Sequence, residues 1–163
     1  MSNLNDSMLE FLNGCHYASL GTLNEDGSLH LTTVWYLFDN RRFYFVTGSS
    51  ARKARNSKAR PNATVVVDSR RNQGNERSIS ASGTVEVITG EESKEINKKI
   101  IQRYVTEEGI NNPNIGPVFE AAGEAVICLT PKSWHSYEFK SVDDAYFGGI
   151  LSQEPDKWFL TVD

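Results

Sequence analysis

Cysteine is scarce in this chain: Cys15 and Cys128 are the only two among 163 residues. Neither belongs to a Cys-x-x-Cys pair, which excludes a disulfide framework and a zinc-finger type of site. A reducing, cytoplasmic setting is the resulting expectation. Long apolar runs are lacking as well. No stretch approaches the ~18 residues of a membrane helix. The first twenty residues, MSNLNDSMLEFLNGCHYASL, have no basic segment leading into an apolar one, so no secretory signal is expected. The phosphate-binding loop Gly-x-x-x-x-Gly-Lys, the dinucleotide fingerprint Gly-x-Gly-x-x-Gly and the Gly-x-Ser-x-Gly elbow are all missing. His16, His30 and His135 are widely spaced and form no metal-ligating pair. Cys15 and His16 are adjacent, which in a strand aims the two side chains apart and argues against a nucleophile–base pair.

What is present reads as one folded domain over 1–163. The chain is 39% hydrophobic and 23% charged, which excludes a disordered polyelectrolyte. The net charge of −4 is unevenly spread. Residues 41–77 hold ten Lys/Arg against two Asp/Glu, and the remainder holds seven against nineteen. An acidic protein with one basic segment points to a local anion site, and neither nucleic acid nor a membrane is expected as a partner. The densest part, Ser50 to Arg60, carries five cations and no carboxylate.

Leu4, Met8, Phe11 and Leu12 recur at helical spacing and predict an N-terminal helix within residues 1–14. Strand signals follow over 17–23, 29–38 and 42–47, joined by Asn24-Glu25-Asp26-Gly27 and by Asp39-Asn40. The third strand leads into a short helix over 51–59, which Ser49 or Ser50 is placed to cap and Pro61 closes. Thr64–Val67 reads as a strand buried on both faces, and residues 69–76 as a polar loop. Residues 77–88 alternate cleanly, with Ile79, Ala81, Gly83, Val85 and Val87 on one face. Gly83 suggests a close approach. Thr89-Gly90-Glu91-Glu92 resembles a capping box, opening a helix with Ile96, Ile100, Ile101 and Tyr104 on one stripe. Late strands are expected over 125–129 and 134–139, split at Thr130-Pro131, and a C-terminal tail over 140–163. Hairpin-linked strands without crossover helices predict a mainly β (α+β) fold, a closed or nearly closed antiparallel barrel with flanking helices.

The strand, turn and helix around Thr47-Gly48-Ser49-Ser50-Ala51-Arg52-Lys53 carry the clearest chemistry. Backbone N–H groups at a helix start favour an anion. Arg52 and Lys53 in the first turn oppose the helix dipole unless an anion offsets them, and Arg adds a bidentate grip on phosphate.

In order and spacing, Leu31–Thr47, Ser50–Asn56, Pro61–Asp68 and Arg77–Glu86 resemble the pyridoxamine-5′-phosphate-oxidase-like split-barrel superfamily, over roughly residues 8–139. The resemblance implies a six-stranded antiparallel split β-barrel that binds FMN at the interface of a homodimer. It implies that Thr47, Ser50, Arg52 and Lys53 hold the cofactor phosphate. Thr32, Thr33, Val34 and Trp35 would line the ring edge, largely through backbone groups, and Trp134 and Tyr137 are the aromatic candidates for the contribution of the second subunit. The implied activity is that of an oxidoreductase acting on an unidentified small molecule. Pyridoxamine phosphate itself is not the expected substrate. The true oxidases have Arg where this chain has Leu31 and Gln where it has Ser78, and they end in an Arg/His-rich motif absent after Phe139. Lys53-Ala54-Arg55-Asn56 also resembles members that use the deazaflavin F420, the alternative cofactor. A non-catalytic flavin- or haem-binding role is the alternative function.

Overall fold

The computed structural model of the chain describes residues 4–69 and 74–160. Part of the expected polar loop (70–73) and the last three residues lie outside the described residues. Seven strands form one antiparallel sheet: β1 (Ala18–Leu23), β2 (Leu29–Val34), β3 (Leu37–Asp39), β4 (Arg42–Thr47), β5 (Asn62–Asp68), β6 (Arg77–Thr89) and β7 (Ala125–Glu138). Their spatial order is β2-β1-β5-β6-β7-β4-β3. The two end strands of this order, β2 and β3, are separated in the chain only by Trp35 and Tyr36. A sheet whose two ends are joined by two residues must curl back on itself, and that closure makes the split barrel.

The extra strand comes from this split. Residues 29–38, expected as one strand, pair with β1 up to Val34 and with β4 from Leu37. The reverse correction applies to the late strands. Residues 125–138 form a single strand, because a bulge at Ser82/Gly83 absorbs Lys132 and lets the pairing run past Pro131. Gly83 is required there: a Cβ would lie 2.0 Å from the Thr130 carbonyl oxygen. β5 is buried on one face only, with Thr64 exposed and Val65 and Val67 inside.

Leu20, Val65, Val67, Ala81, Phe43, Phe45, Ile127 and Leu129 fill the barrel. Burial of these side chains drives closure at roughly 1.5–3 kcal/mol for each large one. Tyr36 is wholly buried among them, and its hydroxyl donates to the Leu12 carbonyl at 2.8 Å. The expected N-terminal helix is α1 (Asp6–Asn13), capped by the Asn5 side chain. The turn chemistry at 24–27 and 39–40 is realised with positive φ at Gly27, Asn40 and Arg41.

The basic helix α2 (Arg52–Ala59) crosses one mouth of the barrel. Asn56 Nδ2 reaches Thr22 Oγ1 at 3.3 Å and Asn24 Oδ1 at 3.0 Å, and Arg60 Nε donates to the Leu23 carbonyl at 2.9 Å. Its N-cap is Ala51, with no side-chain cap, so neither Ser49 nor Ser50 plays that part. Helix α3 (Glu91–Tyr104) is likewise capped by Gly90 without a side-chain bond, not by a capping box at Thr89. Ser93 Oγ instead bonds the Gly90 and Gly123 carbonyls. Two short helices, α4 (Glu107–Asn111) and α5 (Gly116–Ala121), return the chain to β7. The tail folds as α6 (Phe139–Tyr146), α7 (Ile150–Gln153) and α8 (Pro155–Trp158). Asp143 organises it: its fully buried carboxylate accepts from the backbone of Leu151 and Ser152 and from Ser152 Oγ.

Candidate functional site

The split between β2 and β3 opens beside a cleft of about 370 Å³. Thr33, Val34 and Trp35 form its strand wall, with Val46 of β4 beside them. Tyr17 stands at the edge. The opposite wall comes from Asn97 and Ile101 of α3 and from Phe119 and Ala122 at α5. Lys53 of α2 closes the remaining side. Trp35 is held flat: its ring stacks on Tyr104 at 4.9 Å with 3° between planes and meets Phe119 at 5.4 Å. Tyr104 is fixed in turn, its hydroxyl donating to the His16 carbonyl at 2.6 Å and accepting from the Tyr36 N–H at 3.3 Å.

Lys53 is half-buried, and burial pushes its ammonium pKa down from the ordinary 10.5. Among the described residues, no carboxylate lines the cleft. Among the described residues, none forms an ion pair or hydrogen bond with Lys53. A desolvated cation in an apolar, aromatic-walled cleft costs free energy until an electron-rich group meets it. The nearby turn at Gly48–Ser50 is different. Glu124, at the approach to β7, takes the Ser49 N–H at 3.1 Å and its hydroxyl at 2.9 Å. Those two bonds hold the Glu124 carboxyl below its usual range. Arg55 donates to the Ser50 carbonyl.

The sequence-predicted residues divide accordingly. Thr33, Val34, Trp35 and Lys53 meet in the cleft. Thr32 does not line it. Its Oγ1 is buried and has no hydrogen-bond partner among the described residues. Thr47 is buried at the end of β4, and its hydroxyl lies 3.4 Å from the Gly48 carbonyl. Ser50 and Arg52 are exposed at the turn that opens α2. Trp134 packs into the barrel against Phe43 at 5.7 Å and Phe38 at 6.1 Å. Tyr137 is 47% exposed and borders a separate pocket of about 330 Å³ near Arg77 and Glu138. Neither aromatic lines the cleft of its own chain.

Tyr17, Val46, Asn97, Ile101, Phe119 and Ala122 line the cleft and were not among the site residues read from the sequence. Asn97 extends the stripe of Ile100, Ile101 and Tyr104 by one turn, and a buried Asn on an apolar stripe was the available signal. Its amide donates to the Phe119 and Glu120 carbonyls at 3.1 and 3.4 Å, tying α5 to α3.

A family model described as pyridoxamine 5′-phosphate oxidase matches residues 4–138, and the chain belongs to that family. No curated protein matches the sequence. Among solved structures, a conserved hypothetical protein from Mycobacterium tuberculosis superposes with a TM-score of 0.71 at 18% identity, over 86% of this chain and 88% of that one. An F420 reductase gives 0.64 at 21% identity, over 81% and 98%. A haem storage protein from Vibrio cholerae gives 0.62 at 12% identity, over 84% and 95%. At these identities the likeness is one of fold.

Proposed function

We propose that this member of the pyridoxamine 5′-phosphate oxidase-like family binds a phosphorylated flavin-type cofactor, FMN first and F420 second. We further propose that it is an oxidoreductase whose substrate is not pyridoxamine phosphate. The observation that carries the reading is Lys53, a half-buried cation without a carboxylate partner in a cleft walled by Trp35, Phe119 and the β2 strand. The residues fit such a group. A flat ring matches the planar Trp35 wall, and the N–H groups and cations at the start of α2 match a phosphate.

When bound, the cofactor supplies the hydride and electron chemistry. The chain supplies the rest. The backbone of Thr33–Trp35 orients the ring, Arg52 with the Ser50 turn holds the phosphate, and Trp35, Ile101 and Phe119 keep water from one side. Homodimer formation, with Trp134 or Tyr137 completing the partner's site, belongs to the same proposal. FMN stands first because the Arg52-Lys53 pair is intact, and F420 is the alternative because Lys53-Ala54-Arg55-Asn56 resembles members that use it. A haem-carrier role has less support, since His16, His30 and His135 all stand outside the cleft lining.

The test is the visible spectrum of the purified protein, repeated on titration with FMN and then with F420. A bound yellow chromophore or saturable uptake is the expected result. A protein that takes up neither overturns the assignment.

A further inference from the structure

We infer that Asn97 is a cofactor-binding residue, its Oδ1 accepting a hydrogen bond from the hydroxylated chain that links the cofactor's phosphate to its ring. This rests on the proposed function and leaves the phosphate to Arg52 and Lys53.

Asn97 is 3% exposed on the apolar stripe of α3, yet it lines the cleft. The two ends of its amide differ. Nδ2 donates to the Phe119 and Glu120 carbonyls at 3.1 and 3.4 Å. A carbonyl oxygen only accepts, so these neighbours fix which end of the amide is nitrogen. The nitrogen end lies against the turn into β7, where a Cβ at Gly123 would stand 2.3 Å from Nδ2. Oδ1 is the opposite end. Among the described residues none donates to it, and it is not sealed off by protein. The void that it meets is the cleft. A buried acceptor without a donor costs free energy. The clamp on α5 accounts for the nitrogen and leaves the oxygen to a ligand.

Its neighbours identify the ligand group. Lys53 lines the same cleft and sets the phosphate end there. In FMN and F420 alike, the group next to the phosphate is a ribityl chain with hydroxyl donors. Val34, Val46, Ile101, Phe119 and Ala122 offer those hydroxyls no side-chain acceptor. Tyr17 and Thr33 are exposed and open to water, so Asn97 is the buried acceptor of the lining.

The probes are FMN and an analogue in which a plain pentyl chain joins the ring to the phosphate. Wild type, Asn97→Leu and Asn97→Ala are titrated with both, after thermal melts confirm that each variant is folded. Wild type should prefer FMN by about tenfold or more, and both variants should lose about tenfold of that preference. Mere loosening of α5 would weaken the two ligands by one factor and leave the preference intact. A preference unchanged in the folded variants therefore overturns the inference, as does a wild type that binds both probes equally. In either case the proposed function stands. A crystal structure of wild type with the cofactor that it takes up needs no variant. A ribityl oxygen within about 3.2 Å of Oδ1 is the expected result, and a ribityl chain out of that reach overturns the inference. If wild type takes up neither FMN nor F420, the inference and the proposed function fall together.

Discussion

Lys53 carries its charge into a cleft that offers it no carboxylate, and this has a consequence for pH. Burial lowers its pKa below 10.5 in the folded chain. Unfolding restores the ordinary value, so between the two values the unfolded chain holds the extra proton. The stability of the ligand-free protein therefore rises with pH through that window. The penalty is complete below the lowered pKa and gone above 10.5. An electron-rich ligand favours the ammonium and draws a proton back. Ligand affinity is thus expected to fall as the pH is raised from neutrality toward 10.5, and this dependence should flatten in Lys53→Met. Titrations at a series of pH values check it, and an identical slope in both proteins would remove Lys53 from the site. Glu124 works in the opposite sense at the neighbouring turn. Its carboxylate already occupies the Ser49 donors, so a phosphate arriving there must share them or displace it.

Among the elements, the β6–β7 pair is the most tightly specified. At Gly83 a methyl group would fall on the Thr130 carbonyl. Gly83→Ala should cost about 1–3 kcal/mol, or more if the bulge cannot shift, and should lower the midpoint of chemical unfolding. A wild-type midpoint would mean that the bulge adjusts freely. The same pair shows what a local reading reaches. Alternation over 77–88 and the turn chemistry at Asp26-Gly27 and Asp39-Asn40 are local signals, and the hairpins follow from them. The break at Trp35-Tyr36 is not local. Both residues suit a strand, and only closure of the sheet, a demand from far along the chain, parts them. Pro131 misleads in the other direction, because the bulge that tolerates it is made with β6. The cleft divides similarly. Thr33–Trp35 and Lys53 came from motifs in order along the chain. Asn97 and Phe119 come from an insertion whose amphipathic pattern reads as ordinary packing until the fold brings it beside β2.

For the molecule as a whole, the outer face next to the cleft is apolar. Tyr17, Leu29 and Leu31 are 63%, 66% and 66% exposed. Leu31 lies across Gly21, one strand inward, so the patch is a continuous sheet surface and not an isolated side chain. This is the face on which the proposed homodimer would pair. Leu31→Glu leaves the core untouched and should leave the melting temperature of the isolated subunit near that of the parent. It should also convert the dimer to monomer in light scattering and weaken cofactor retention with it. A dimer of unchanged mass and affinity would put the interface elsewhere.

The two-residue join at Trp35-Tyr36 also bears on how the barrel assembles. The hairpins β1–β2 and β3–β4 need only near neighbours, but the seam between β4 and β7 joins Thr47 to Ala125, almost half the chain apart. Until that seam forms, the wall from α3 and α5 has nothing to face, and the cleft does not exist. Contacts of such long range form late and slowly. A ligand held in this cleft therefore has no purchase on the folding transition state. A ligand bound there would act on the escape from the finished barrel, as a brake on unfolding that leaves the speed of folding unchanged.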